Sequence, residues 1–340
     1  MFELGLLPRS LAAALRDLGN PRSEVRISAV RDLARYARNG EQAAASALLE
    51  GLRDTEEAVR AASALGLADA NTTFAVTRLL DVAETDSASR VRQMALLALG
   101  ELAAADHEAV IDVLVKTLSA EAPAERFQAL LALHQLDPAR AERGVLEGTV
   151  DPDAEVRRLS FRIAEAHWSD RKLPELVRAR AKASLTDSHG NVRIAAALLL
   201  AHFGDASGEA ALLELLAGKL TDAAPDDEQA AIEAAATLGI RAAIPWLERR
   251  AFAWFGRDPQ GYHARIALAR LGDARARSAI LKGLDAWSFA TRTLSVAAAG
   301  KAGLFEARRR LELFLTRPDR ADPAAVREAL ALLDAAESRG

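Results

Sequence analysis

A dipeptide that returns about every thirty-three residues constrains this chain more than any other feature. Val-Arg occurs as Val25-Arg26, Val59-Arg60, Val91-Arg92, Val156-Arg157 and Val192-Arg193, with Glu125-Arg126 filling the gap. Successive arginines are 34, 32, 34, 31 and 36 residues apart. Arg292 follows Arg193 by 99 residues, three such periods, and Val326-Arg327 comes 35 later. Six residues before the arginine stands a carboxylate or its amide, Asn20, Asp54, Asp86, Asp151 or Asp187; Ala120 is the exception. A leucine follows at +7 as Leu33, Leu67, Leu99, Leu133 and Leu200, with Ile163 at +6. A period of this length is that of a stacked supersecondary unit.

Each unit reads as two helices. The first, for example Glu41–Arg53 or Glu108–Thr117, has apolar residues at three- and four-residue spacing. An Asp-rich turn follows, whose Asp is expected to cap the next helix through its first amides. The second helix starts near Val-Arg and ends near a glycine, as at Leu99-Gly100 and Phe203-Gly204-Asp205. One pair cannot bury both apolar stripes, so pairs must stack. The 77 alanines and 51 leucines of the 340 residues suit that: strong helix formers with room for close approach, and only sixteen aromatics.

The Asp-(five residues)-Arg spacing and the period resemble those of HEAT repeats, including the bacterial HEAT-like variety. The resemblance runs through the whole chain and is clearest over residues 11–205. It implies an all-α fold, a right-handed α-α superhelix of about ten helix pairs in one solenoid spanning 1–340. Units are expected to start near 8, 41, 72, 107, 139, 172, 206, 241, 274 and 304. It also implies a buried structural ladder between adjacent repeats, built from Asp54, Arg60, Asp86, Arg92, Asp151, Arg157, Asp187 and Arg193, with no catalytic meaning.

Enzyme chemistry finds no motif. Phosphate-cradling glycine loops and the nucleophile elbow are absent. His107-Glu108 opens like a zincin helix, but Ile111 stands where its second histidine must be. The six histidines are scattered, and no two sit three or four apart. The chain has no cysteine, which removes thiolate catalysis and disulfides. No catalytic residue, metal or cofactor is expected. Two HEAT-like families do carry chemistry, the alkylpurine DNA glycosylases and the bilin lyases, but neither family's functional residues map onto positions here. The formal charge of −4 excludes a globally basic protein. The start, Met1-Phe2-Glu3-Leu4, lacks a signal-peptide pattern, and no apolar run reaches membrane-span length. A cytoplasmic protein is the expectation.

The remaining candidates are surfaces. With the second helices on a wheel, positions +1, +2 and +5 from the arginine place Leu65, Met94, Leu97, Phe127, Leu131, Leu159 and Leu198 along a concave ridge. This ridge is expected either to accept an amphipathic protein segment or to be buried against neighbouring helices. A second candidate is residues 241–320, where the repeat is most divergent. They carry 16 basic and 7 acidic side chains, whereas residues 1–170 carry 19 and 27. Nine aromatics fall within 246–314. Arg249, Arg250, Trp254, Phe255, Arg257, Tyr262 and Trp287 form that set; aromatic faces beside arginines grip peptides or stack bases. The leading expectation is a non-enzymatic scaffold that binds a partner protein. The alternative is nucleic-acid binding, or a glycosylase-like activity, through the C-terminal repeats. The charge segregation also allows head-to-tail self-association.

Overall fold

The computed structural model describes residues 9–220, 223, 225–253 and 258–338. Among these residues it is all-helical, with twenty α-helices in ten antiparallel pairs and no strand. The chain divides into two compact units, 1–170 and 171–340.

The first unit contains α1 (Leu11–Asp17) with α2 (Ser23–Arg38), α3 (Gln42–Gly51) with α4 (Glu57–Asp69), and α5 (Val76–Thr85) with α6 (Ser89–Leu102). It ends with α7 (Glu108–Thr117) and α8 (Pro123–Leu136), then α9 (Pro138–Gly148) and α10 (Ala154–His167). The core is aliphatic and thin: Leu33, Leu48, Leu67, Leu79, Leu99, Leu114 and Leu133 are fully buried, separated by alanines such as Ala64 and Ala98. Second helices pack on one another all along the unit, while successive first helices barely touch. The row of second helices therefore lies on the inside of the unit's curve.

The second unit contains α11 (Glu175–Ser184) with α12 (Gly190–His202), α13 (Glu209–Leu216) with α14 (Pro225–Thr237), and α15 (Ile244–Ala251) with α16 (Gly261–Arg270). It closes with α17 (Ala274–Gly283) and α18 (Phe289–Lys301), then α19 (Arg308–Leu315) and α20 (Pro323–Glu337). Here α12 is buried nearly all round, from Ile194 to Ala201.

The turn aspartates act differently from the expectation. Asp54 and Asp86 accept from the amides two residues on, Glu56 (2.9 Å) and Ala88 (2.9 Å), which precede the helix proper. They close Asx turns rather than cap first-turn amides. Side-chain caps do occur where the register allows, from Ser10, Asp137, Asp153, Asp273, Ser288 and Asp322.

The last turns of α8 and α10 bring two histidines together. The rings of His134 and His167 lie 5.9 Å apart, with Trp168 edge-on to His167. Burial, then the neighbouring His167, pushes His134 below its ordinary 6.5. Its Nδ1 is buried without a partner, and Glu142 lies 3.9 Å from His167 Nε2. A histidine held neutral in the fold and free to protonate when unfolded stabilises above the unfolded pKa; that stability is lost as pH falls through 6.5 toward the lower folded value. The wild-type chain should therefore lose stability relative to His134→Gln between about pH 7 and about pH 5. Parallel urea curves at the two pH values would overturn this assignment.

Candidate functional site

The recurring arginines are joints. Arg26 forks onto Asp54 of the next turn (2.8 and 2.7 Å) and donates to its own turn's Asn20 and Pro21 carbonyls (2.9 and 3.3 Å). Arg60 repeats the arrangement with Asp86 (2.7 and 2.9 Å) and the Asp54 and Thr55 carbonyls (2.9 and 3.2 Å). Arg126 does so with Asp151 (2.8 and 2.6 Å). Burial raises the carboxyl pKa of Asp54, Asp86 and Asp151, but the guanidinium and amide hydrogen bonds outweigh it and leave each below the usual carboxylate value. Arg157 and Arg193 grip their own turns in the same way, at the Asp151 and Asp187 carbonyls (both 2.8 Å), and Asp187 accepts from the His189 amide.

Three joints depart from the sequence pattern. Where Ala120 leaves the acidic position empty, Glu125, buried in the first turn of α8, takes the fork of Arg92 (3.1 and 2.6 Å). Arg193 reaches Glu214 of α13 (3.2 Å). Arg292 has no carboxylate and donates instead to the Asp319 and Arg320 carbonyls of the next turn. At Gly261, where the pattern would place an arginine, a Cβ would stand 3.0 Å from the Arg250 carbonyl, so a side chain there would be crowded against the backbone.

The ridge candidates divide. Leu65 is 39% exposed, while Met94, Leu97, Phe127, Leu131 and Leu159 are half-buried. Leu198 is a correction: at 3% exposure it belongs to the second unit's core, because α12 is covered on every side. In the first unit, Leu65 and Met94 line a groove of about 490 Å³ running over α2, α4 and α6. Its floor is apolar and small, including Ile27, Ala61, Ala62 and Gly66. Its charged side chains are Arg31, Arg35, Arg38 and Arg90 against one acid, Asp69. Arg38 is tied to Asp69, and Arg35 to Asp32. Among the described residues, no ion pair or hydrogen bond holds the guanidinium of Arg31 or Arg90, both exposed. Sequence reasoning missed Arg90, which sits at −2 from the ladder arginine, a position the wheel had not scored.

The C-terminal set is less coherent. Trp254, Phe255 and Arg257 lie outside the described residues. Arg250 is a correction: it is drawn in against Glu228 of α14 and serves as an internal ion pair. Arg249 is exposed and stacks on Trp246 at 5.2 Å. Tyr262 is half-buried and donates to the Leu294 carbonyl (3.4 Å). Trp287 projects from the turn before α18, 99% exposed. The basic excess also shrinks in three dimensions. Arg308 pairs with Asp334 and Glu337, Arg277 with Glu306, and Arg310 with Asp285. Glu228, Asp334 and Glu337 all lie outside residues 241–320.

Among the described residues, no group of three or more His, Asp and Glu could hold a metal ion, and no helix is long and apolar enough to cross a membrane. Residues 8–100 match the family described as HEAT repeats. No curated protein matches the sequence. Among solved structures, YibA of E. coli aligns at 19% identity over 78% of this chain and 93% of its own, with a TM-score of 0.56. Kap95p, solved with RanGDP, aligns at 12% identity over 95% of this chain and 62% of its own (TM-score 0.47). Importin beta aligns at 14% over 95% and 50% (TM-score 0.45). The first is a likeness of fold; the other two are too remote to bear on function. Residues 8–100 match HEAT repeats, and paired helices of the same kind continue through both units, so the fold of the chain is HEAT-like.

Proposed function

We propose that the protein is a non-enzymatic scaffold that captures a partner protein on the second-helix row of its first unit. The observation that supports this most is the groove under Leu65 and Met94: a concave, apolar-floored surface with exposed side chains that no neighbouring helix covers. A solenoid's function lies in the surface its repeats display rather than in the fold. The nucleic-acid reading draws less support, because many of the C-terminal arginines are engaged within the chain. Several of them also stand on α15, α17 and α19, the first-helix row, instead of converging with Trp287.

A photo-crosslinking amino acid placed at Leu65 or Met94 tests the assignment in cells expressing the full chain. We expect protein adducts from both positions and none from Val115, an exposed apolar residue on first helix α7. Equal adducts from Val115, or none from the groove, would remove the ridge from consideration.

A further inference from the structure

Charge on the first unit is arranged against its own average. Residues 1–170 carry 27 acidic and 19 basic side chains, yet the groove displays four arginines and a single aspartate. Of the nearby carboxylates, Asp32 is held by Arg9 (3.0 Å) and Arg35 (3.2 Å), and that of Asp69 lies 3.7 Å from Arg38, which donates to the Asp69 carbonyl. Arg31 of α2 and Arg90 of α6 stand on either side of α4 with their guanidiniums free, and Leu65 lies on α4 between them. An unpaired arginine pair bracketing an apolar floor is complementary to a ligand with the opposite pattern.

We propose that this groove binds an acidic peptide segment of a partner protein, with Asp or Glu side chains on Arg31 and Arg90 and an apolar side chain between them on Leu65 and Met94. Carboxylates match the planar fork of arginine bidentately. A nucleic-acid strand fits less well, because the groove contains no aromatic ring on which a base could stack. Two such arginines beside an apolar floor repel basic segments as well as attract acidic ones.

The assignment rests on the scaffold reading, and the test separates the two. A library of random 16-residue peptides is selected by display against the full-length chain, and one enriched peptide is labelled with fluorescein for anisotropy titration. We expect enrichment of peptides with acidic residues flanking one or two large apolar ones. Their affinity should fall at least about tenfold on Arg31→Glu with Arg90→Glu, fall similarly on Leu65→Asp, and weaken with added salt. Arg143→Glu, an exposed first-helix control, should leave it unchanged. Neutral or basic peptides that still depend on Leu65 would overturn the acidic specificity while leaving capture on the ridge intact. Peptides indifferent to every groove substitution, or no enrichment at all, would overturn both. A labelled oligothymidylate bound more tightly than the peptide and lost with the two arginines would reassign the groove to nucleic acid.

Discussion

Arg126→Ala should cost the first unit about 3 kcal/mol. The guanidinium makes four hydrogen bonds: two to Asp151, and two to the Ala120 and Glu121 carbonyls (2.9 and 2.8 Å). Its side chain is 13% exposed and that of Asp151 is 9% exposed, so water replaces these partners poorly. Truncation strands a half-desolvated carboxylate and two carbonyls at once, which costs more than the pair itself contributes. Arg126→Lys keeps the charge but loses the fork, and should cost about half as much. Urea unfolding of the full chain followed by circular dichroism gives the magnitude. Hydrogen exchange should show the loss concentrated around α8 to α10, because repeats communicate through nearest neighbours. A change below about 0.5 kcal/mol would reduce the joint to an ordinary surface ion pair.

The second large effect is expected from a single methyl group. A Cβ on Gly148 would stand 2.1 Å from Oγ of the fully buried Ser160. That hydroxyl cannot swing away freely, since it donates to the Val156 carbonyl (2.8 Å). Gly148→Ala should therefore force α9 and α10 apart and cost about 2–3 kcal/mol. Adding Ser160→Ala removes the colliding oxygen and should recover more than half of the loss. A cycle with additive single effects would show that the two positions do not share the space. The same collision exists at Gly51 with Ser63 and at Gly283 with Ser295, each serine twelve residues after its glycine. In the third repeat the equivalent positions are Ala83 and Ala95, so volume moves from one helix to the other while their sum changes little.

These contacts show how far the sequence could be read. The arginine period, the acidic residue six before it and the aliphatic positions define helix pairs because each repeat must satisfy the same turn carbonyls and the same stack. Glu125 as the partner of Arg92 was not legible. It sits five positions later than the aspartates, and only the first turn of α8 brings it to the same point in space. Leu198 was legible and misread: Ile194 to Ala201 has no polar face, the mark of a helix buried all round. Its register alone resembles that of the exposed ridge positions; its composition does not. The glycine–serine complementarity carried a signal too, a constant spacing of twelve, but spacing alone does not say that two helices touch.

The basic excess of residues 241–320 does not carry over to the surface, for a geometric reason. Counting residues 241–320 gives a strong basic excess, yet Arg250 and Arg308 take their partners from Glu228, Asp334 and Glu337, beyond either end of that stretch. Net charge along a sequence is not charge on a surface when long side chains reach into adjacent repeats. The groove shows the converse: an acidic unit presents an apolar floor flanked by arginines, because the neighbouring Asp32 is occupied by Arg9 and Arg35.

The sequence by itself determined the helical class, the paired repeat and the role of its arginines, because local spacing and turn chemistry recur in each unit and need no distant partner. Tertiary structure alone decided which ridge leucines are covered, which arginines are spent inside the chain, and that Arg31 and Arg90 flank one apolar groove. Exposure and pairing depend on what the adjacent repeat puts against each side chain, and that is fixed only when the helices stack.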